Sequence, residues 1–151
     1  MNRLLILPVL LLTLLVGNSA FSADEQKGLD AALSGDYATA LREWTPLAEQ
    51  GNARAQYNLG KLIFGGEDQS RAPSGFSFVQ SEQTYRTAIY WFERAASQGH
   101  TNAQYYLGVM YEEGRGVSKN YRIAAKWYRL AAAAGNAYAS IAPVRFQETG
   151  S

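Results

Sequence analysis

Few residues in this chain can do chemistry at neutral pH. It holds 1 His and no Cys in 151 residues. A Ser/His/Asp nucleophile system would depend on His100 alone, because only an imidazole takes and returns a proton near pH 7. Without cysteine there is no thiolate nucleophile, disulfide framework or thiolate metal site, and one His excludes a multi-histidine site. Carboxylates stand side by side at Glu67-Asp68 and Glu112-Glu113. Adjacent helical positions do not face each other, so neither pair reads as a general acid and base flanking one bond. They read as solvated charge. Gly114-Arg-Gly116-Val has the outline of a phosphate loop but lacks the preceding strand and the full glycine spacing. The expectation is no enzyme, no cofactor and no metal.

What must position these residues is an internal repeat. Gly51-Asn-Ala-Arg-Ala-Gln-Tyr-Asn-Leu-Gly60, Gly99-His-Thr-Asn-Ala-Gln-Tyr-Tyr-Leu-Gly108 and Gly135-Asn-Ala-Tyr-Ala-Ser140 align. Tyr85, Ala88, Trp91, Ala95 and Ala96 recur 36 residues later as Tyr121, Ala124, Trp127, Ala131 and Ala132. A weaker copy holds Tyr37, Ala40, Trp44 and Ala48. Such a period marks a stacked array. Within each unit the spacing is helical. Ala55, Leu59 and Ile63 lie at i, i+4, i+8, like Ala103, Leu107 and Tyr111, while Ala88, Trp91, Phe92 and Ala95 lie at i, i+3, i+4, i+7, like Ala124, Trp127, Tyr128 and Ala131. Gly51, Gly99 and Gly135 follow the last apolar residue of each second helix, as C′ glycines do. By this register His100 is equivalent to Asn52 and Asn136, so it reads as a turn residue. Gly60 and Gly108 sit inside helices at about 1 kcal/mol each relative to Ala, which suggests close helix approach against Ala on the facing helix. The unit is an antiparallel hairpin whose stacking buries one continuous core.

The strings Trp44-Thr-Pro-Leu-Ala-Glu-Gln-Gly-Asn-Ala-Arg-Ala-Gln-Tyr-Asn-Leu-Gly60 and Ala103-Gln-Tyr-Tyr-Leu-Gly-Val-Met-Tyr-Glu-Glu-Gly-Arg-Gly-Val117, with Ala124-Ala-Lys-Trp-Tyr128 and Ala131-Ala132, resemble Sel1-like repeats. The resemblance spans about residues 24–142. It implies an all-α, right-handed α/α solenoid of about three hairpins and the role of a protein-binding adaptor. It also implies that Gly114–Val117 is the turn between two helices. Two departures stand out. The short Gly-x-Gly-Val turn of the unit beginning at Gly51 is replaced by an insertion at 67–81, rich in Ser, Gly and Pro, in which Phe76 and Phe78 alternate with Ser77. The third Leu-Gly position is Pro143-Val144, and an interior Pro removes an amide donor. The terminal element at 137–147 therefore reads as a degenerate cap that starts late, kinks or stops. Pro46 matches a Pro usual in the family, and the helix is expected to bend or restart there.

Residues 1–22 read as a signal peptide, with Arg3 before an apolar run from Leu4 to Val16 and small residues after it. The run has 13 residues, short of the ~20 that span a membrane. Cleavage fits after Ala20, Ser22 or Ala23, with Ala20-Phe21-Ser22 the best match to small residues at −3 and −1. The domain is then 23–151, periplasmic or secreted. The formal charge of +1 for the whole chain belongs to the leader, through Arg3. Residues 24–83 hold 9 acidic and 5 basic groups, net −4; residues 84–151 hold 4 and 8, net +4. A neutral chain with this lengthwise dipole is no general nucleic-acid binder, which needs a net basic surface. Arg115, Lys119, Arg122, Lys126 and Arg129 cluster near the last full second helix, by default a solvated face and otherwise a patch for an acidic partner.

Binding is expected where the first helices line the inner curve. Tyr57, Asn58 and Lys61 point away from the core positions, and their equivalents are Tyr105, Tyr106 and Val109. Tyrosine pairs a large ring with a polar tip and is enriched at interfaces. Phe76 and Phe78 join this set, because exposed aromatics on a long loop call for a partner or for packing on the protein itself. The expected function is that of an exported, monomeric, non-catalytic module for one protein partner, such as an inhibitor or immunity protein against a secreted effector. A structural part of an envelope assembly is the alternative. Binding or hydrolysis of a β-lactam or peptidoglycan-like ligand is a remoter one, since the cysteines of such relatives are missing.

Overall fold

The computed structural model describes residues 22–65 and 81–148. Among the described residues seven helices follow one another: α1 (Ala23–Leu33), α2 (Tyr37–Glu49), α3 (Ala53–Phe64), α4 (Glu82–Ser97), α5 (Thr101–Glu113), α6 (Tyr121–Ala133) and α7 (Ala137–Glu148). Each packs against its neighbours in chain order. The architecture is the all-α solenoid expected, as three hairpins and a seventh helix. The insertion at 67–81, with Phe76 and Phe78, and residues 1–21 of the proposed leader lie outside the described residues, apart from Ser22 and Ser81.

Each helix begins on a polar cap. Asn52, His100 and Asn136 occupy the same N-cap position of α3, α5 and α7. The Ala55 amide donates to Asn52 Oδ1 at 2.9 Å, the Ala103 amide to His100 Nδ1 at 3.4 Å and the Ala139 amide to Asn136 Oδ1 at 2.8 Å. An N-cap acceptor satisfies one of the orphan amides of the first turn. The turn role of His100 thus has a physical content: its ring nitrogen does what the Asn carboxamides do. The glycine before each cap has positive φ, +98° at Gly51, +84° at Gly99 and +93° at Gly135, as a C′ residue requires. Gly35, at +84°, is a fourth member that the repeat alignment missed.

The mid-helix glycines make the close approach expected of them, but against rings rather than alanines. A Cβ on Gly60 would stand 2.7 Å from Phe92 Cε1, and one on Gly108 2.5 Å from Tyr128 Cε1. Gly28 of α1 meets the Trp44 indole in the same way. Trp44 is therefore equivalent to Phe92 and Tyr128, not to Trp91 and Trp127. Phe92, Tyr128 and Trp44 are buried, and each removes a large apolar area from water without pushing its hairpin apart. Tyr128 also donates its hydroxyl proton to Glu112.

The core is a chain of three clusters. Ala31, Ala40, Trp44, Ala48, Ala55 and Leu59 form the first. Ile63, Ala88, Phe92, Ala95, Leu107 and Met110 belong to the second. Ala124, Tyr128, Ala131, Ala139 and Ala142 form the third. Trp91 packs against both the first and the second, so these two join as a repeat core should. Trp91 and Trp127 are only partly buried, unlike the Phe92 and Tyr128 that follow them.

Buried glutamines stitch adjacent units. Gln56 Nε2 donates to the Ala48 carbonyl at 2.9 Å, and Gln56 Oε1 accepts from Gln98 Nε2 at 2.8 Å. Gln104 Nε2 reaches the Ala96 carbonyl at 3.4 Å. These bonds satisfy carbonyls near the ends of α2 and α4. Neither Pro interrupts its helix. α2 continues through Pro46 to Glu49, and α7 starts at Ala137 and continues past Pro143 to Glu148. In α2 the loss of one amide donor is tolerated where Trp44 and Ala48 pack the turns on either side.

Candidate functional site

The first helices of the hairpins bring together an open groove of about 440 Å³. α1 supplies Leu29, Ala32 and Leu33; α2 supplies Tyr37 and Trp44. α3 supplies Asn58, Lys61, Leu62 and Phe64, followed by Gly65, and α5 supplies Tyr106. Leu29 and Leu33 lie at i, i+4 and so share one side of α1. Leu33 is 75% exposed, an apolar side chain that its own fold leaves in water. Lys61 is exposed and Leu62 and Phe64 are half-buried. The groove is thus mainly aliphatic and aromatic, with one ammonium, one carboxamide and phenolic hydroxyls. Such a lining offers apolar area that a ligand could cover and few polar groups that could fix its register.

Three of the residues expected to bind, Asn58, Lys61 and Tyr106, line this groove. Tyr57, Tyr105 and Val109 do not line it. Tyr57 is packed between units: its ring stacks on His100 with centroids 4.5 Å apart and leans on Phe92 and Tyr106. Burial, with Tyr106 beside it, pushes the Tyr57 hydroxyl up to about 12, against a weaker opposing hydrogen bond with Asn102. Tyr105 and Val109 pack on the third core cluster, where Tyr105 meets Tyr128 and Tyr138. Tyr106 itself stacks on Phe92 at 5.2 Å, so one face of its ring is structural. Phe76 and Phe78 lie outside the described residues, although the insertion follows Gly65 closely in sequence.

The α1 and α2 contributions were missed because α1 carries no Leu-Gly signature. Its Lys27-Gly28 stands in that place, and the Leu29/Leu33 pair was the available signal.

Among the described residues, His100, Glu112 and Glu113 are already engaged, while Glu67 and Asp68 lie outside them. His100 is stacked on Tyr57, its Nδ1 accepts the Ala103 amide, and burial, then the nearby Arg54, hold its pKa below the usual imidazole value. Glu112 accepts from Tyr128, and Glu113 pairs with Arg115 at 2.6 Å. The Arg115 guanidinium lies over the Phe64 and Tyr85 rings, and Gly116 sits where a Cβ would strike Tyr85 and the Arg86 amide. Gly114–Val117 is therefore a turn packed onto α4, not a cradle for phosphate. Arg122, Lys126 and Arg129 are exposed on α6, which contributes nothing to the groove. Among the described residues no three His, Asp or Glu side chains gather as a metal site would require, and no helix is long and apolar enough to cross a membrane.

Comparison with known proteins agrees with the repeat architecture. The Sel1 repeat model matches residues 53–74, 82–100 and 101–136. A Sel1 repeat protein from Oxalobacter formigenes is similar in structure, with a TM-score of 0.62 and 32% identity over 77% of this chain. A protective antigen of uropathogenic Escherichia coli strains with an SLR fold is similar too, with a TM-score of 0.53 and 30% identity over 79% of this chain. The chain covers 43% of the first structure and 26% of the second. No curated protein matches it.

Proposed function

The chain belongs to the Sel1 repeat family, and from that premise we propose that it is an exported, non-catalytic module that holds one protein partner in the groove between α1 and α5. Proteins of this family are generally protein-interaction modules. The observation that carries the reading is the groove itself. Leu33 is left exposed beside half-buried Leu29 and Leu62, with the Lys61 ammonium among them. An apolar patch of this kind gains from being covered, at roughly 25 cal/mol per Å² of area removed from water. The partner segment that suits it is an apolar stretch bearing a carboxylate for Lys61. The leader-like residues 1–22 support a periplasmic or secreted setting. There the module acts as an inhibitor or immunity protein that occupies a secreted effector.

Affinity capture from envelope and secreted fractions tests this, with wild-type protein beside Leu33→Asp and Lys61→Glu. Both side chains are exposed, so both variants should keep the wild-type melting temperature. The expected result is one stoichiometric partner, lost from each variant, whose toxicity to cells the wild-type protein relieves. Undiminished capture by both variants sinks the groove as the binding surface. A partner that is a non-toxic envelope subunit would replace inhibition with the adaptor role.

A further inference from the structure

The start of α1 bears on where the leader ends. Ser22 is its N-cap, and a reciprocal capping box closes there. The Glu25 amide donates to Ser22 Oγ at 3.1 Å, and the Ser22 amide donates to Glu25 Oε2 at 2.9 Å. The Gln26 amide adds a bond to the Ser22 carbonyl at 3.0 Å. Glu25 is no loose surface acid, being 3% exposed. Its carbonyl accepts from Trp44 Nε1 at 3.3 Å, and the same indole fills the space beside Gly28. The first turn of α1 is thus tied through Trp44 into the first core cluster.

Cleavage after Ser22 would undo this arrangement. The Glu25 and Gln26 amides would lose their acceptors, and a buried carboxylate would lose its donor. The new ammonium on Ala23 would place positive charge where the helix dipole already concentrates it. Cleavage after Ala23 removes the same cap and one residue more. Cleavage after Ala20 keeps Ser22 whole, with its amide intact behind Phe21. It also leaves a small residue at −1, although −3 is then Asn18.

We propose that processing cuts the Ala20–Phe21 bond and that the exported protein begins at Phe21. This rests on the export reading and departs from the motif preference for Ser22, because the folded domain uses Ser22. The test is N-terminal sequencing and intact mass of the protein recovered from the periplasm or medium after expression of the full reading frame. Phe21 as first residue is the expected result. Ala23 or Asp24 overturns the inference but leaves export standing; any other processed terminus overturns the assignment of the bond. An unprocessed chain beginning at Met1 overturns the export reading as well. In a second arm, chains released from a cleavable tag to begin at Phe21 or at Ala23 are melted side by side. The shorter chain should melt about 3–6 °C lower, the usual effect of losing an N-cap in a domain of this size. Equal melting temperatures would show that Ser22 contributes nothing the fold needs, and the argument would fall.

Discussion

Gly108→Ala sets two effects of opposite sign against each other. In a solvated helix this change stabilises by about 1 kcal/mol, because Ala is the better helix former. Here the new Cβ would stand 2.5 Å from Tyr128 Cε1 and 2.6 Å from Cδ1, where carbon atoms prefer roughly 3.5–4.0 Å. Relief requires about 1 Å of movement. The ring has little room to give it, since Tyr128 is 1% exposed and its hydroxyl is held by Glu112. Overpacking of this kind costs about 1–3 kcal/mol. With the propensity gain subtracted, a net loss of about 1 kcal/mol is expected. Urea denaturation should show it as a midpoint lowered by about 0.5 M at unchanged slope, and a thermal scan as a fall of about 3–6 °C. In a Tyr128→Leu background the ring is gone and the propensity gain should emerge, so there the same change should be neutral or stabilising. Stabilisation by Gly108→Ala in the wild-type background would refute the close-approach account of the repeated glycine.

Gly99→Ala should also destabilise, by about 1–2 kcal/mol, for a different reason. Nothing lies within 4 Å of its missing Cβ, so the whole effect comes from the left-handed φ of +84°; Gly99→Asn should cost visibly less, and equal midpoints for the two variants would contradict this. His100 predicts a pH dependence. Its pKa is lowered in the folded state, first by burial and then by Arg54, so below the ordinary value of 6.5 the unfolded chain binds more protons than the folded one. Stability should therefore fall as pH drops from about 6.5 toward the folded-state pKa, and His100→Asn, which keeps the cap as Asn52 and Asn136 do, should flatten that slope in urea midpoints measured between pH 7 and 5.

Much of the fold was legible because a repeat presents the same physics several times. The Asn52/His100/Asn136 register alone identifies His100 as a turn residue, and the C′ glycines fall where their positive φ requires them. Helical spacing placed Ala55, Leu59, Ala103 and Leu107 in the core, where all are 2% exposed or less. The residues that line the groove were harder to read. Angular position on one helix cannot tell an outward tyrosine from one that the next hairpin covers. Tyr57, Asn58, Tyr105 and Tyr106 look alike by spacing, yet Tyr57 stacks on His100, Tyr105 packs on Tyr128, and only Asn58 and Tyr106 face the groove. The α1 wall of that groove carries no repeat signature, because Gly28 answers Trp44 without the leucine that precedes Gly60 and Gly108.

By itself the sequence determined what is local and periodic: helix registers, caps, turns and the scarcity of catalytic groups. The tertiary structure decided what depends on distance between hairpins. It set Phe92 and Tyr128 rather than the adjacent tryptophans against the glycines, gathered Leu33 of α1, Lys61 of α3 and Tyr106 of α5 into one groove, and buried Glu25 beneath Ser22. The reason is that spacing along the chain fixes the face of a helix, while only the stacking of one hairpin on the next fixes which faces stay open to water.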